Sequence, residues 1–223
     1  MNKIHHVFIS STYLDLKEER EEAMNAIIRT GCHPIGMEFF PANPATPWKV
    51  IERAISDCDF YIVIIANRYG TIEEGTEISY TEREFNYALE HGRKFLAFLI
   101  SDFDEGKADN YEKIRQFREK IQKGCTPDYF ENKYDLGKKI AISLSNLANE
   151  QKAKDDKDAF DRLYDLIDVL QAQINSLAMD NRDEHSSLQE QINSLAEAVL
   201  RNGLSFAKVS EKVRELKKKN NLQ

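Results

Sequence analysis

The run from Asp59 to Ala66, DFYIVIIA, constrains this chain more than any other stretch. It is an almost unbroken apolar series, rich in β-branched residues and without polar alternation, as in a strand covered on both faces. A similar run, KFLAFLI, spans Lys94 to Ile100. Between them, Tyr80 to His91 has helical periodicity and stops at Gly92. A strand buried on both faces needs helices on both sides of its sheet, and crossover connections between parallel strands supply them. The rest of the first part of the chain alternates accordingly. Lys3 to Ile9 reads as a strand, and Asp15 to Thr30 as a helix stopped by Gly31, with Leu14, Ala23, Ala26 and Ile27 on its apolar side. His33 to Met37 is a short strand, Phe39 to Pro44 a loop, and Pro47 to Ser56 a helix. Asn110 to Gln122 reads as a helix, Asp128 to Glu131 as a short strand, and Leu136 to Gln151 as a helix. The expected fold is α/β: a doubly wound, flavodoxin-like parallel sheet of about five strands across residues 1–150.

Residues 151–223 have a different character. Gly and Pro are absent between Lys152 and Asn202, and Leu163, Ile167, Leu170, Ile174 and Leu177 follow the a/d spacing of a coiled coil. Asn181 and Glu184 interrupt that seam, which resumes at Leu188, Ile192, Leu195 and Val199. LQAQINSLA at 170–178 returns as LQEQINSLA at 188–196, 18 residues later. That interval is five turns at about 3.6 residues per turn, so both copies share one helix face. A narrow apolar stripe on a polar helix needs a partner. Packing onto the chain's own domain would satisfy it, but self-association through residues 160–200 is the expectation, since the preceding domain already looks complete. The terminal Lys217-Lys218-Lys219 reads as a solvated end.

The net charge of −7 argues against a protein built mainly to bind nucleic acid, because phosphate neutralisation requires concentrated Lys and Arg. No apolar run approaches roughly 18 residues, so no membrane span is expected. Met1-Asn2-Lys3 leads directly into a strand-like segment without signal-peptide layout. The three cysteines, Cys32, Cys58 and Cys125, are odd in number and widely separated, which suits a reducing, cytoplasmic setting. No Cys or His pair has metal-ligand spacing, and no metal is expected. Neither GxGxxG nor GxxxxGK[ST] occurs, so the usual phosphate-cradling loops are missing.

In an open doubly wound sheet, ligands sit beyond the carboxyl ends of the strands, at the switch in strand order. Two clusters fall there: Ser10-Ser11-Thr12 after the first strand and Asn67-Arg68-Tyr69-Gly70 after the third. The hydroxyls fit either a ligand contact or a capping cluster for the next helix. Asp15 fits a helix N-cap. Arg68 fits a ligand contact or an ion pair with Asp15 or with a carboxylate of the helix from Tyr80. His5 and His6 fall at the opposite, amino end, where a structural role is expected. On the helix from Tyr80, the residues Thr81, Phe85, Ala88 and Leu89 form an inward stripe flanked by Glu82 on one side and Glu84 on the other. Glu84 shares its flank with Tyr80, Tyr87 and His91. It is a candidate functional carboxylate, and it equally fits a solvated helix acid.

Together, FISSTYLDLKEER, CHPIGMEFF, IERAISDCDFYIVIIANRYG and SYTEREFNYAL resemble a TIR-like family of unknown function typified by ISSTxxDLxxER. That family is found at the N-termini of bacterial and some eukaryotic NTPase and defence-type proteins. The resemblance covers about residues 3–100 and implies a flavodoxin/TIR-like fold. In catalytic TIR domains a glutamate in a pattern like SxWCxxE, with alanine four residues later, cleaves the nicotinamide–ribose bond of NAD. Here Tyr80-Thr81-Glu82-Arg83-Glu84 aligns with WCxxE, with Ala88 in the alanine position, so the resemblance names Glu84 and not Glu82. Tyr and Thr replace the usual Trp and Cys, and Phe39 to Asn43 is unlike the corresponding TIR loop. The implied activity is NAD glycohydrolysis, with NAD as substrate and no cofactor required. Ser10, Ser11 and Arg68 would hold phosphate or ribose, Tyr69 or Phe39 would stack on a ring, and Asp15 and Tyr80 are further candidate substrate-binding residues. The implied setting is bacterial anti-phage or stress defence, with activation by self-assembly. The alternatives are a non-catalytic nucleotide- or protein-binding scaffold and N-glycosyl transfer on nucleosides.

Overall fold

The computed structural model describes residues 4–40 and 46–177. Strands β1 (His6–Ser11), β2 (His33–Ile35), β3 (Phe60–Ile65), β4 (Lys94–Ile100) and β5 (Asp128–Phe130) form one sheet in the order β2-β1-β3-β4-β5. Every neighbouring pair is parallel. Helices α1 (Lys17–Arg29), α2 (Pro47–Asp57), α3 (Tyr80–Glu90), α4 (Tyr111–Gly124) and α5 (Lys133–Leu177) alternate with the strands. This is a doubly wound α/β fold. Its switch point lies between β1 and β3, because the chain leaves β1 first towards β2 and then returns to the other side.

The two faces of the sheet carry separate cores. Val7, Ile9, Phe60, Ile62 and Ile64 pack with Ala23, Ala26 and Ile27 of α1 and Leu136, Ile140 and Leu144 of α5. Phe8, Tyr61, Val63 and Ile65 pack with Ile55 of α2, Phe85 and Ala88 of α3, and Ile114, Phe117 and Ile121 of α4. The split follows from period-two alternation along each strand. All six residues of β3 are buried, as expected of a central parallel strand.

Several sequence expectations are corrected. Strand β1 does not end at Ile9: Ser10 and Ser11 pair in register with Val63 and Ile64, inside the sheet. Ladder bonds come from the backbone, so hydroxyl side chains do not terminate a strand that has a partner. The apolar residue ahead of α1 that reaches the core is Leu16, while Leu14 is 70% exposed. Helix α1 begins at Lys17, so Leu14 lies outside its periodicity. On α3, Thr81, Phe85 and Ala88 are buried as expected, but Leu89 is exposed. The helix expected over 136–151 and the start of the coiled-coil segment are one continuous helix, α5, with no Gly or Pro between Gly137 and Leu177 to break it. Gly137 lets α5 approach α1 closely: a Cβ there would lie 2.5 Å from Glu22 Oε1.

The chain divides into two units, Met1–Ala148 and Asn149–Gln223. The described part of the second unit is helical. There Leu163 is buried, while Phe160, Tyr164 and Val169 remain exposed. The second repeat at 188–196, the tail Lys217 to Lys219, residues 1–3 and loop residues 41–45 lie outside the described residues. Among the described residues no helix is long and apolar enough to cross a membrane.

Candidate functional site

The carboxyl end of β1 is built from two serines that point to opposite faces of the sheet. Ser10 shares the face of Phe8, and Ser11 that of Val7 and Ile9. Ser10 Oγ donates to Glu84 Oε2 of α3 at 2.5 Å. Ser11 Oγ accepts from Arg20 Nη1 of α1 at 2.9 Å and itself donates to the carbonyl of Thr12 at 2.8 Å. Arg20 is 2% exposed, and the remainder of its fork grips Glu38: Nε to Oε1 at 2.6 Å and Nη2 to Oε2 at 2.8 Å. Glu38 sits in the turn Met37–Phe39 after β2. Gly36 makes room for this pair, since a Cβ there would collide with Glu38 Oε2 and stand 3.1 Å from Arg20 Nη2. The end of β1 is thus tied through Ser10 to α3, and through Ser11 and Arg20 to α1 and the turn after β2.

The electrostatics follow from these contacts. Burial pushes the Glu84 carboxyl up to about 7, against the opposing effects of the Ser10 hydrogen bond and the Arg20 charge. Burial also acts to raise Glu38, but the Arg20 hydrogen bonds and charge outweigh it and hold Glu38 below the ordinary glutamate range. One carboxyl therefore exchanges its proton near neutral pH, and the other stays ionised. Perturbed groups of this kind concentrate at functional sites.

Helix α3 is aimed by its own N-terminus. Ser79 is its N-cap and accepts from the Glu82 backbone N–H at 3.2 Å. Glu82 does not return the bond to the Ser79 N–H as in a full capping box. The Tyr69 hydroxyl accepts from that N–H at 3.2 Å and donates to Glu82 Oε2 at 2.6 Å. Glu82 also holds Lys120 of α4 at 3.0 Å. Tyr69 is buried edge-on to Phe117, and burial together with the Glu82 bond pushes its phenol up to about 12.

The loop after β3 is pinned by Asp109, which accepts from the backbone N–H of Tyr69 at 2.6 Å and of Gly70 at 3.4 Å, and from Arg68 Nε at 3.2 Å. Gly70 has a left-handed φ of 91°, and a Cβ there would meet Thr12 Cγ2 at 2.9 Å. The loops after β1 and β3 touch at this glycine.

Of the sequence candidates, only Ser10 and Glu84 meet directly. Ser11 faces the other side and is engaged by Arg20. Arg68 pairs with Asp109 rather than with Asp15 or a carboxylate of α3. The Tyr69 ring lies in the core, so it offers no face for ligand stacking. Asp15 is exposed and does not cap α1, whose N-cap residue is Leu16. Phe39 and Tyr80 are exposed at the carboxyl edge, after β2 and at the first residue of α3. His5 and His6 stay at the amino end, where the His5 ring lies 5.0 Å from that of Phe60.

Arg20, Glu38 and Asp109 escaped the sequence reading. For Arg20 a signal existed: Leu16, Arg20, Ala23 and Ile27 share one helical phase, so a charge stood on the apolar stripe. Among the described residues no group of three His, Cys, Asp or Glu is placed to hold a metal ion.

A family profile described as "Domain of unknown function (DUF4062)" matches residues 6–145. No curated protein matches the chain. Among solved structures, the TIR domains of the activated Roq1 resistosome are 17% identical, over 65% of this chain and 84% of that one, with a TM-score of 0.38. The CMP N-glycosidase BcmB of Clostridium botulinum is 18% identical, over 60% and 97%, at 0.38. A prokaryotic SEFIR domain is 19% identical, over 53% and 90%, at 0.33. At these values none of them bears on the chemistry of the site.

Proposed function

The chain belongs to the DUF4062 family, and we propose that it cleaves the nicotinamide–ribose bond of NAD with Glu84 as the working carboxylate. The observation that carries this reading is the bond between Ser10 Oγ and Glu84 Oε2 at 2.5 Å, beside the switch point of the sheet. The TIR-like motif order in the sequence supports the same residue.

The chemistry asks little of the protein. As the C1′–N bond breaks, its electron pair goes to the pyridinium nitrogen and positive charge develops on the ribose. Nicotinamide leaves neutral, so no general acid is needed. A carboxylate beside the ribose stabilises the oxocarbenium-like state. Water then adds at C1′ and gives up one proton, leaving ADP-ribose. Ser10 orients the Glu84 carboxyl, and the buried Arg20 charge favours its ionised form. With Glu84 near 7, the rate should rise with pH through that value and level off above it.

Assembly through residues 160–200 and a role in defence against phage or stress complete the proposal. Phe160 continues the spacing of Leu163 and Ile167 and is exposed, which supports the assembly part, since an apolar seam on a polar helix favours a partner. A chain lacking residues 155–223 should then be monomeric by light scattering and nearly inactive. A monomeric, fully active fragment would remove assembly from the account.

The same bond supports a second reading. Glu84 already accepts a hydrogen bond from Ser10, so the pair also fits a non-catalytic scaffold domain. The deciding experiment follows nicotinamide release from NAD by concentrated full-length protein, beside Glu84→Gln. Turnover in the parent and not in the variant is the expected result. Equal turnover in both would reject Glu84, and absence of turnover in an assembled parent would favour the scaffold.

A further inference from the structure

Tyr61 is a large, fully buried residue at the centre of the sheet whose hydroxyl has no hydrogen-bond partner among the described residues. A buried hydroxyl in that condition calls for an explanation. Its position supplies one. Tyr61 stands opposite Phe8 in the β1–β3 register, and their rings stack at 5.7 Å with planes 5° apart. Ser10 is two residues further along β1 on the same face, about 6.6 Å at a rise of roughly 3.3 Å per residue. A tyrosine ring leaning along its strand carries its hydroxyl about that far. The Tyr61 phenol lies near enough for the Ser10 hydroxyl and the Glu84 charge to act on it, and burial, the largest influence, holds it well above the ordinary range.

We propose that Tyr61 is a positioning residue, the far end of a buried chain Tyr61–Ser10–Glu84 that orients and polarises the Ser10 hydroxyl against the Glu84 carboxyl. The inference rests on the reading of Glu84 as the working group. Ser10 spends its proton on Glu84 Oε2, which leaves the lone pairs of its Oγ to accept. Two buried hydroxyls in this region have free hydrogens, those of Tyr61 and Thr12, and the Tyr61 phenol is the one on which Ser10 acts. When Glu84 is ionised, both hydroxyls donate towards it, and each bond strengthens the next. When Glu84 is protonated, it donates to Ser10 and the chain reverses. The other groups facing this chain are Arg20 from α1, itself held by Glu38, and Cys58 beside the phenol. Cys58 is pushed up to about 11, chiefly by burial, and stays a neutral thiol through the range in which Glu84 titrates.

The test is a carboxyl-carbon NMR titration of Glu84 in full-length protein, with and without Tyr61→Phe, beside the pH dependence of NAD turnover. Phenylalanine fills the same space and removes only the unpaired hydroxyl. The expected result is a folded variant whose Glu84 midpoint rises by about half a pH unit or more, with the rate profile moving by the same amount. A folded variant with an unmoved Glu84 midpoint would overturn the proposal. Ser10→Ala gives a second, independent arm. Removing the link should raise the Glu84 midpoint further, and adding Tyr61→Phe in that background should then change nothing. An equal effect of Tyr61→Phe with or without Ser10 would also overturn it. The titration needs no substrate, so failure of NAD turnover would count against the reaction alone, while the Glu84 midpoints would still decide the role of Tyr61.

Discussion

The two flanks of α3 carry glutamates two residues apart that have opposite surroundings. Glu82 is held by a cation and a phenol: Lys120 at 3.0 Å and Tyr69 at 2.6 Å. Glu84 meets a hydroxyl and, among the described residues, no direct cation, and burial leaves its proton exchangeable at about 7. One carboxylate helps to hold the helix in place, and the other is held by it. Two acids on one helix can thus differ in charge state at neutral pH, because one has a cation and a phenol as partners and the other is buried beside a hydroxyl.

The largest effect should come from behind the Glu84 flank. Arg20→Met removes the one buried partner of this pair, a guanidinium bonded to both Ser11 and Glu38, and losing charge-assisted bonds of this kind should cost about 3 kcal/mol. Arg68→Met removes a half-exposed pair with Asp109 and should cost no more than about 1 kcal/mol. Urea unfolding of the two variants makes the comparison. Equal losses would mean that the Arg20 fork is no stronger a tie than a surface pair.

Glu84→Gln comes next. Turnover should fall by about 100-fold or more, equivalent to about 2.7 kcal/mol of transition-state stabilisation. Its stability should move the other way. In the unfolded chain this carboxyl ionises near 4.5, whereas the folded protein retains its proton to about 7. The folded state binds the extra proton, so stability is lost as pH rises across that window, and none of this loss exists below it. Glutamine removes the loss. The variant should gain about 2 kcal/mol at pH 8, allowing for the partial exposure of the residue, and nothing near pH 4. Thermal unfolding at the two pH values measures it, and a gain of the same size at both would contradict the burial account.

Glu82→Gln should give the reverse pattern, with NAD turnover retained and stability lower by about 1 kcal/mol, since the Lys120 pair and the Tyr69 bond both weaken. Loss of turnover with an intact fold would exchange the roles of the two acids. Asp15→Asn should be the smallest change, within about 0.5 kcal/mol. Asp15 is exposed and caps nothing, so a large stability effect in denaturant titration would point to a contact made only in an assembly.

The parallel sheet follows from the sequence alone. DFYIVIIA and KFLAFLI are too continuously apolar to lie anywhere except between two helix layers, and their alternation with helical segments leaves few topologies. The sequence also places Ser10 towards the carboxyl end of the first strand and Glu84 on a flank of the helix from Tyr80, although the strand runs two residues beyond Ile9, the end that the apolar run predicts. Which groups meet was settled by tertiary packing. Arg20 stood out only by its helical phase with Leu16, Ala23 and Ile27, its partners Ser11 and Glu38 were set by packing, and Glu38 and Asp109 had no signal in their own neighbourhoods. Tyr69 looked like an exposed loop aromatic, yet Asp109 and Glu82 draw it into the core. Ion pairs and pKa values depend on distances between residues far apart in the chain and on the water excluded between them. Those quantities exist only after the two cores have closed.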